Sequence, residues 1–126
     1  MRAVDTDLLV RLLARDHPKQ TAAAEAFVAG GAWVSHLVLV EAIWVLGSVF
    51  SRDAAALAGS VQMLLEHESL ALQDPDVVEA ALVHFVKRPA LGFSDCLILE
   101  VARKAGHLPL GSFDRDLAKL EGVQKL

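Results

Sequence analysis

Short apolar segments alternate with longer stretches of helical periodicity from one end of this chain to the other. Arg2 to Val4 reads as a strand, after which Asp5-Thr6-Asp7 offers capping oxygens to a helix over Leu8 to Arg15. Leu8, Leu9, Leu12 and Leu13 form its apolar stripe. Pro18 fits the first turn of a second helix that runs to Ala29, with Ala22, Ala26 and Ala29 on one side and Gly30-Gly31 as the stop. A strand over Ala32 to Val34 follows, and Ser35 caps a helix from about Leu37 to Phe50. A fourth helix spans Arg52 to Glu66, and a third strand spans Leu70 to Leu72. Asp74-Pro75 opens a helix that ends near Lys87, and Pro89 to Phe93 reads as a loop. Ser94 or Asp95 begins the next helix, which runs through Ala105 and is closed by Gly106. Leu108 to Leu110 reads as a strand, Ser112 to Asp116 as a polar turn, Leu117 to Leu120 as a short helix and Val123 to Leu126 as an edge strand.

Strands alternating with helices predict an α/β domain in three layers, α/β/α, around a central and mostly parallel sheet. At 126 residues without a Pro/Gly/Ser-rich linker, the expectation is one domain over 1–126. Apolar residues make up 54% of the chain, and the mean hydropathy is +0.42. That excess favours a partner-covered surface and a homodimer. No apolar run reaches the length of a membrane span, and the N-terminus lacks a signal pattern, so a cytoplasmic protein away from membranes is expected. Cys96 is the one cysteine and sits in the apolar run Cys96-Leu97-Ile98-Leu99, which makes it a packed thiol rather than a nucleophile. The five histidines are scattered without zinc-site spacing.

Within this frame four carboxylates occupy junctions. Asp5 ends the first strand, Glu41 lies inside an apolar helix, Asp95 opens a helix, and Asp114 follows the last long apolar stretch. Glu41 is flanked at helical spacing by Leu37, Val38, Trp44 and Val45, so the expectation is either a helix buried nearly all round or a glutamate pointing into a polar cavity. An ion pair with Arg103 or Arg115 is the bland account of it. Asp5 and Asp95 have helix capping as their bland account, and Asp114 a turn. Ionised carboxylates that crowd together away from water repel one another unless a cation neutralises them, so a cluster of these four implies a hard divalent metal. The net charge of -4 is neither for nor against an anionic ligand. Trp33, Trp44 and Phe50 are read as core or dimer contacts, with base stacking as the less frequent role.

The segments Ala3-Val4-Asp5-Thr6-Asp7, Val38-Leu39-Val40-Glu41-Ala42, Phe93-Ser94-Asp95-Cys96-Leu97-Ile98 and Ser112-Phe113-Asp114 with Asp116-Leu117 resemble, in order and spacing, a PIN-domain nuclease of the VapC toxin type. The resemblance covers nearly the whole chain. It implies a toxin endoribonuclease that hydrolyses RNA phosphodiester bonds with Mg2+, or Mn2+, held by Asp5, Glu41, Asp95 and Asp114. It also implies a VapB-like antitoxin as partner. Asp7 stands where the family commonly has Asn, and Ser112 where Thr is common; Asp116 is a second candidate for the fourth acidic position. Thr6, Ser94 and Ser112 are supporting candidates, with Thr6 placed to orient Asp5 or a metal-bound water. Two alternatives belong to other classes. A receiver-like phosphoacceptor domain needs an acceptor aspartate at the end of the third strand, where the nearest residue, Asp53, opens a helix instead; a PIN-like fold kept only for binding RNA or protein is the other.

Overall fold

A carboxylate placed where a strand ends can terminate the strand and start a helix in one step. In the computed structural model, which describes residues 1–126, Asp5 follows β1 (Arg2–Ala3) and its Oδ1 accepts the Leu8 amide at 2.9 Å as the N-cap of α1 (Thr6–Ala14). Local chemistry starts three further helices in the same way. The His17 imidazole accepts from the Gln20 amide ahead of α2 (Pro18–Val28). Ser35 Oγ accepts from Val38 ahead of α3 (His36–Ser48), and Asp53 Oδ1 accepts from Ala56 ahead of α4 (Ala54–Glu66).

The chain divides into two compact units, Met1–Pro75 and Asp76–Leu126. In the first, β1, β2 (Ala32–Val34) and β3 (Leu70–Leu72) form a parallel sheet in that order. Ala3 pairs with Trp33, and Val34 with Leu72. α1 packs on α2 and α3, α3 on α4, and α4 on β3. Leu9, Val34, Leu39, Leu46, Val61 and Leu64 are the fully buried side chains of this core. Arg52 ties the α3–α4 connection to the end of α1 through a 3.1 Å bond from Nη2 to the Leu13 carbonyl.

The second unit holds α5 (Pro75–Lys87), a 3-10 turn over Pro89–Leu91, α6 (Phe93–Ala105) and the parallel pair β4 (Leu110–Ser112) and β5 (Val123–Lys125), with a second 3-10 turn over Leu117–Lys119 between the strands. Its buried side chains include Val78, Phe85, Phe93, Cys96 and Leu99, and the Phe85 and Phe93 rings meet edge to face. The α/β class and the parallel strands are those expected from the alternation of patterns.

Two local expectations need correction. α6 begins at Phe93 with Gly92 as its N-cap, so neither Ser94 nor Asp95 caps it. β4 covers Leu110–Ser112 and not Leu108–Leu110, because Pro109 has no N–H to give and the ladder opens with the Leu110 amide on the Gly122 carbonyl at 2.8 Å. Ala22, Ala26 and Ala29 do lie on one side of α2, the exposed one; Thr21, Ala24 and Val28 are its buried face.

Candidate active site

Each unit carries two of the four acidic candidates. In the first, Asp5 is exposed, with Oδ1 committed to the Leu8 amide. Glu41 lies one turn into α3 and is also exposed, which corrects the expectation of a helix buried nearly all round. α3 is not buried all round: Leu37 is 77% and Trp44 68% exposed on the same face as Glu41, while Leu39, Ala42, Ile43 and Leu46 face the core. Trp44 is therefore no core residue. The partner of Glu41 is Thr6, whose Oγ1 donates to Glu41 Oε2 at 2.9 Å. Thr6 thus orients Glu41, rather than Asp5 as expected. Arg103, offered as a bland partner for Glu41, is engaged by Glu100 instead. Asp7 is exposed and lines a groove of about 480 Å3 with Arg11, Gln20 and Phe27.

In the second unit Asp95 sits half-buried in the first turn of α6 and has no capping bond to make. Its pKa is raised above the ordinary carboxylate value, first by burial and then by the charge of Asp114. Asp114 is exposed, and its Oδ1 accepts the amides of Asp116 at 2.8 Å and Leu117 at 3.2 Å, while its own amide donates to Ser112 Oγ at 3.0 Å. Asp116, the rival for the fourth acidic position, pairs with Lys119 at 3.3 Å. Of the two, only Asp114 acts on Asp95. Ser94 is exposed. Cys96 is fully buried, and burial, with Asp95 and Glu100 adding to it, pushes its thiol up to about 11, which leaves it inert at neutral pH.

All donors in these groups are carboxylate or hydroxyl oxygens, the set that a hard divalent ion prefers and a soft one does not. Within neither unit are three His, Cys, Asp or Glu side chains gathered to hold a metal. Asp53, required at a strand end by the receiver-like alternative, caps α4 with its carboxylate.

Sequence reasoning missed one polar assembly. Glu100, in α6, is the only buried charged side chain; its Oε2 lies 3.0 Å from His84 Nε2, and Arg103 Nε bonds both carboxylate oxygens at 3.2 Å. The spacing of three between Glu100 and Arg103 was the available signal. His84 belongs to α5 and to this assembly.

The PIN domain family model matches residues 2–123. The chain belongs to the PIN domain family. Among solved structures, the VapC20 toxin of Mycobacterium tuberculosis, described as cleaving the sarcin-ricin loop, is similar over 98% of this chain and 97% of its own, with 19% identity and a TM-score of 0.44. No curated protein gives a match. None of the helices is long and apolar enough to cross a membrane.

Proposed function

We propose that this chain is a divalent-metal-dependent endoribonuclease, the VapC-type toxin of a toxin-antitoxin pair, acting in the cytoplasm as a single PIN domain over 1–126. Membership of the PIN family supports nuclease activity as the class. The observation that carries the metal reading is the state of Asp95: a half-buried carboxylate free of capping duty, with its proton held more tightly by burial first and then by the charge of a second carboxylate, Asp114. Such a pair is repulsive when ionised and becomes favourable once a cation is shared.

In this reading Asp5 and Glu41 of the first unit and Asp95 and Asp114 of the second are the residues that would hold Mg2+ or Mn2+. When bound, the ion supplies an acidified water and charge stabilisation at the phosphate. Thr6 fixes the rotamer of Glu41, and the Leu8 amide fixes that of Asp5, so both present an oriented oxygen. The backbone amides on Asp114 Oδ1 do the same for the fourth carboxylate, leaving Oδ2 to face a ligand. RNA is the substrate class, in an unpaired segment whose phosphate can reach the site. A VapB-like antitoxin and a second copy of the chain are the proposed partners; exposed Leu37, Trp44 and Val49 on and just after α3 supply apolar surface for such contacts.

The test is cleavage of a short unstructured oligoribonucleotide by the purified chain. Activity should require Mg2+ or Mn2+, stop with chelator, return on adding metal, and be nearly abolished by Asp95→Asn. Metal-independent cleavage, or full cleavage by Asp95→Asn, rejects the site.

A further inference from the structure

We infer that Arg103, held by the buried Glu100, is a positioning residue that clamps the β4–β5 pair to α6 and so sets the separation of the two carboxylates those elements bear. The role assigned to Asp95 and Asp114 rests on the function proposed above; the clamp rests on the following contacts. Glu100 lies five residues beyond Asp95 on the same helix, and its carboxylate is fixed from both sides by His84 Nε2 at 3.0 Å and Arg103 Nε at 3.2 Å. Burial leaves it no water to exchange for those partners. The far side of the same guanidinium reaches across to the turn before β5, where Nη2 donates to the Glu121 carbonyl at 2.7 Å. The next residue, Gly122, has φ +94°, and a Cβ there would lie 3.2 Å from Nη2, 3.4 Å from Nη1 and 3.3 Å from Leu108 Cδ1. The guanidinium therefore rests against bare backbone at a position where a side chain would displace it.

From that turn the contacts lead to Asp114. The Gly122 carbonyl accepts the Leu110 amide at 2.8 Å, the first rung of the ladder, and the Leu126 amide donates to the Ser112 carbonyl at 2.9 Å, the last. Ser112 then holds the Asp114 amide through Oγ. A planar fork is required, since one face of the donor set must serve a carboxylate and the other a carbonyl; a lysine ammonium matches the charge and not the two directions.

Amide hydrogen exchange and Mn2+ calorimetry on the full chain, native and Arg103→Lys, test this. The lysine variant keeps a cation beside Glu100 and so preserves folding. Exchange at Leu110, Leu126 and Asp116 should quicken about tenfold, as for the loss of one charge-assisted hydrogen bond, while Leu99 in the middle of α6 is unchanged. Half-saturating Mn2+ should rise roughly fivefold while melting curves show the variant still folded at the assay temperature, since unfolding could produce that rise only by leaving about a fifth of the chain folded. Arg103→Gln, which loses both the charge beside Glu100 and the reach to the Glu121 carbonyl, should loosen the same rungs at least as much as the lysine variant. Unchanged exchange at Leu110 and Leu126, equal acceleration at Leu99, or loosened rungs with unaltered Mn2+ affinity each overturn the inference. A native chain that takes up no Mn2+ rejects the metal-site reading instead, and the exchange pattern still decides whether Arg103 clamps the strands.

Discussion

Replacing Thr6 by Val deletes one hydroxyl, keeps the branched shape, and isolates what the hydroxyl contributes to Glu41. The lost contact is the 2.9 Å bond from Thr6 Oγ1 to Glu41 Oε2. Because Glu41 is exposed and Thr6 only half-buried, water takes over much of this bond, and the stability cost should sit near the lower end for a hydrogen bond, about 0.5 kcal/mol. That corresponds to a fall in melting temperature of roughly 2 °C. Catalysis should suffer more. Without the hydroxyl, Glu41 regains its rotamers, and refixing them on metal costs on the order of 1 to 2 kcal/mol of side-chain entropy. In rate this is a loss of about tenfold. The assay is cleavage of a fluorogenic unpaired oligoribonucleotide at Mn2+ well below half-saturation, where the cost of loading metal is read in the rate, with melting curves alongside. Thr6→Ser, which restores the hydroxyl without the methyl, should recover most of the rate. Cleavage by Thr6→Val within about twofold of native would refute the argument, as would a serine variant as slow as the valine one, since the methyl packing would then be the feature that matters.

Asp5→Asn should keep the N-cap and the melting temperature while losing cleavage, whereas Asp5→Ala should also cost about 1 kcal/mol of stability; equal melting of the two variants in thermal scans would show that the cap is idle. Asp95 is predicted to destabilise the metal-free fold: with its folded pKa raised above 3.8, its contribution is fully present below that value and is lost as pH rises through the folded pKa. Metal-free Asp95→Asn should therefore melt higher than native at neutral pH and converge with it below about pH 3.8, and a lower melting temperature at neutral pH would contradict the charge argument. Light scattering should find a dimer at tens of micromolar, roughly the range for a standard-sized interface, and Trp44→Glu should shift it to monomer; a native monomer would leave exposed Leu37 and Trp44 to the antitoxin alone.

What the sequence revealed was the chemistry that acts within one turn. Asp5 before Leu8, Ser35 before Val38 and Gly106 after Ala105 are legible because cap and capped group lie within four residues of one another. The start of β4 was illegible because its rungs are chosen by Gly122 and β5, more than ten residues downstream. The setting of Glu41 was illegible for another reason: α3 is apolar on both faces, so periodicity does not say which side meets the core or whether Trp44 is a core residue or a surface one. Glu100 looked like any helix glutamate. Its burial follows from His84, sixteen residues earlier, and from where α5 and α6 meet.

The two readings weighed for Asp5 and Asp114, cap and proposed metal ligand, are compatible within one physical arrangement. In each, a backbone amide binds Oδ1 and leaves Oδ2 unclaimed. A carboxylate so held has lost its rotamer freedom to the fold before any ion arrives, and the amide dipole partly offsets its charge without occupying both lone-pair faces. Asp95 is the contrasting case. It has no such bond, is half-buried, and feels Asp114, so it carries the unrelieved repulsion that a cation removes. Capping explains why Asp5 and Asp114 are aspartates at their turns. At Asp95, in the first turn of α6, the helix dipole favours the charge without bonding to it, and the proposed metal would relieve what burial and Asp114 impose.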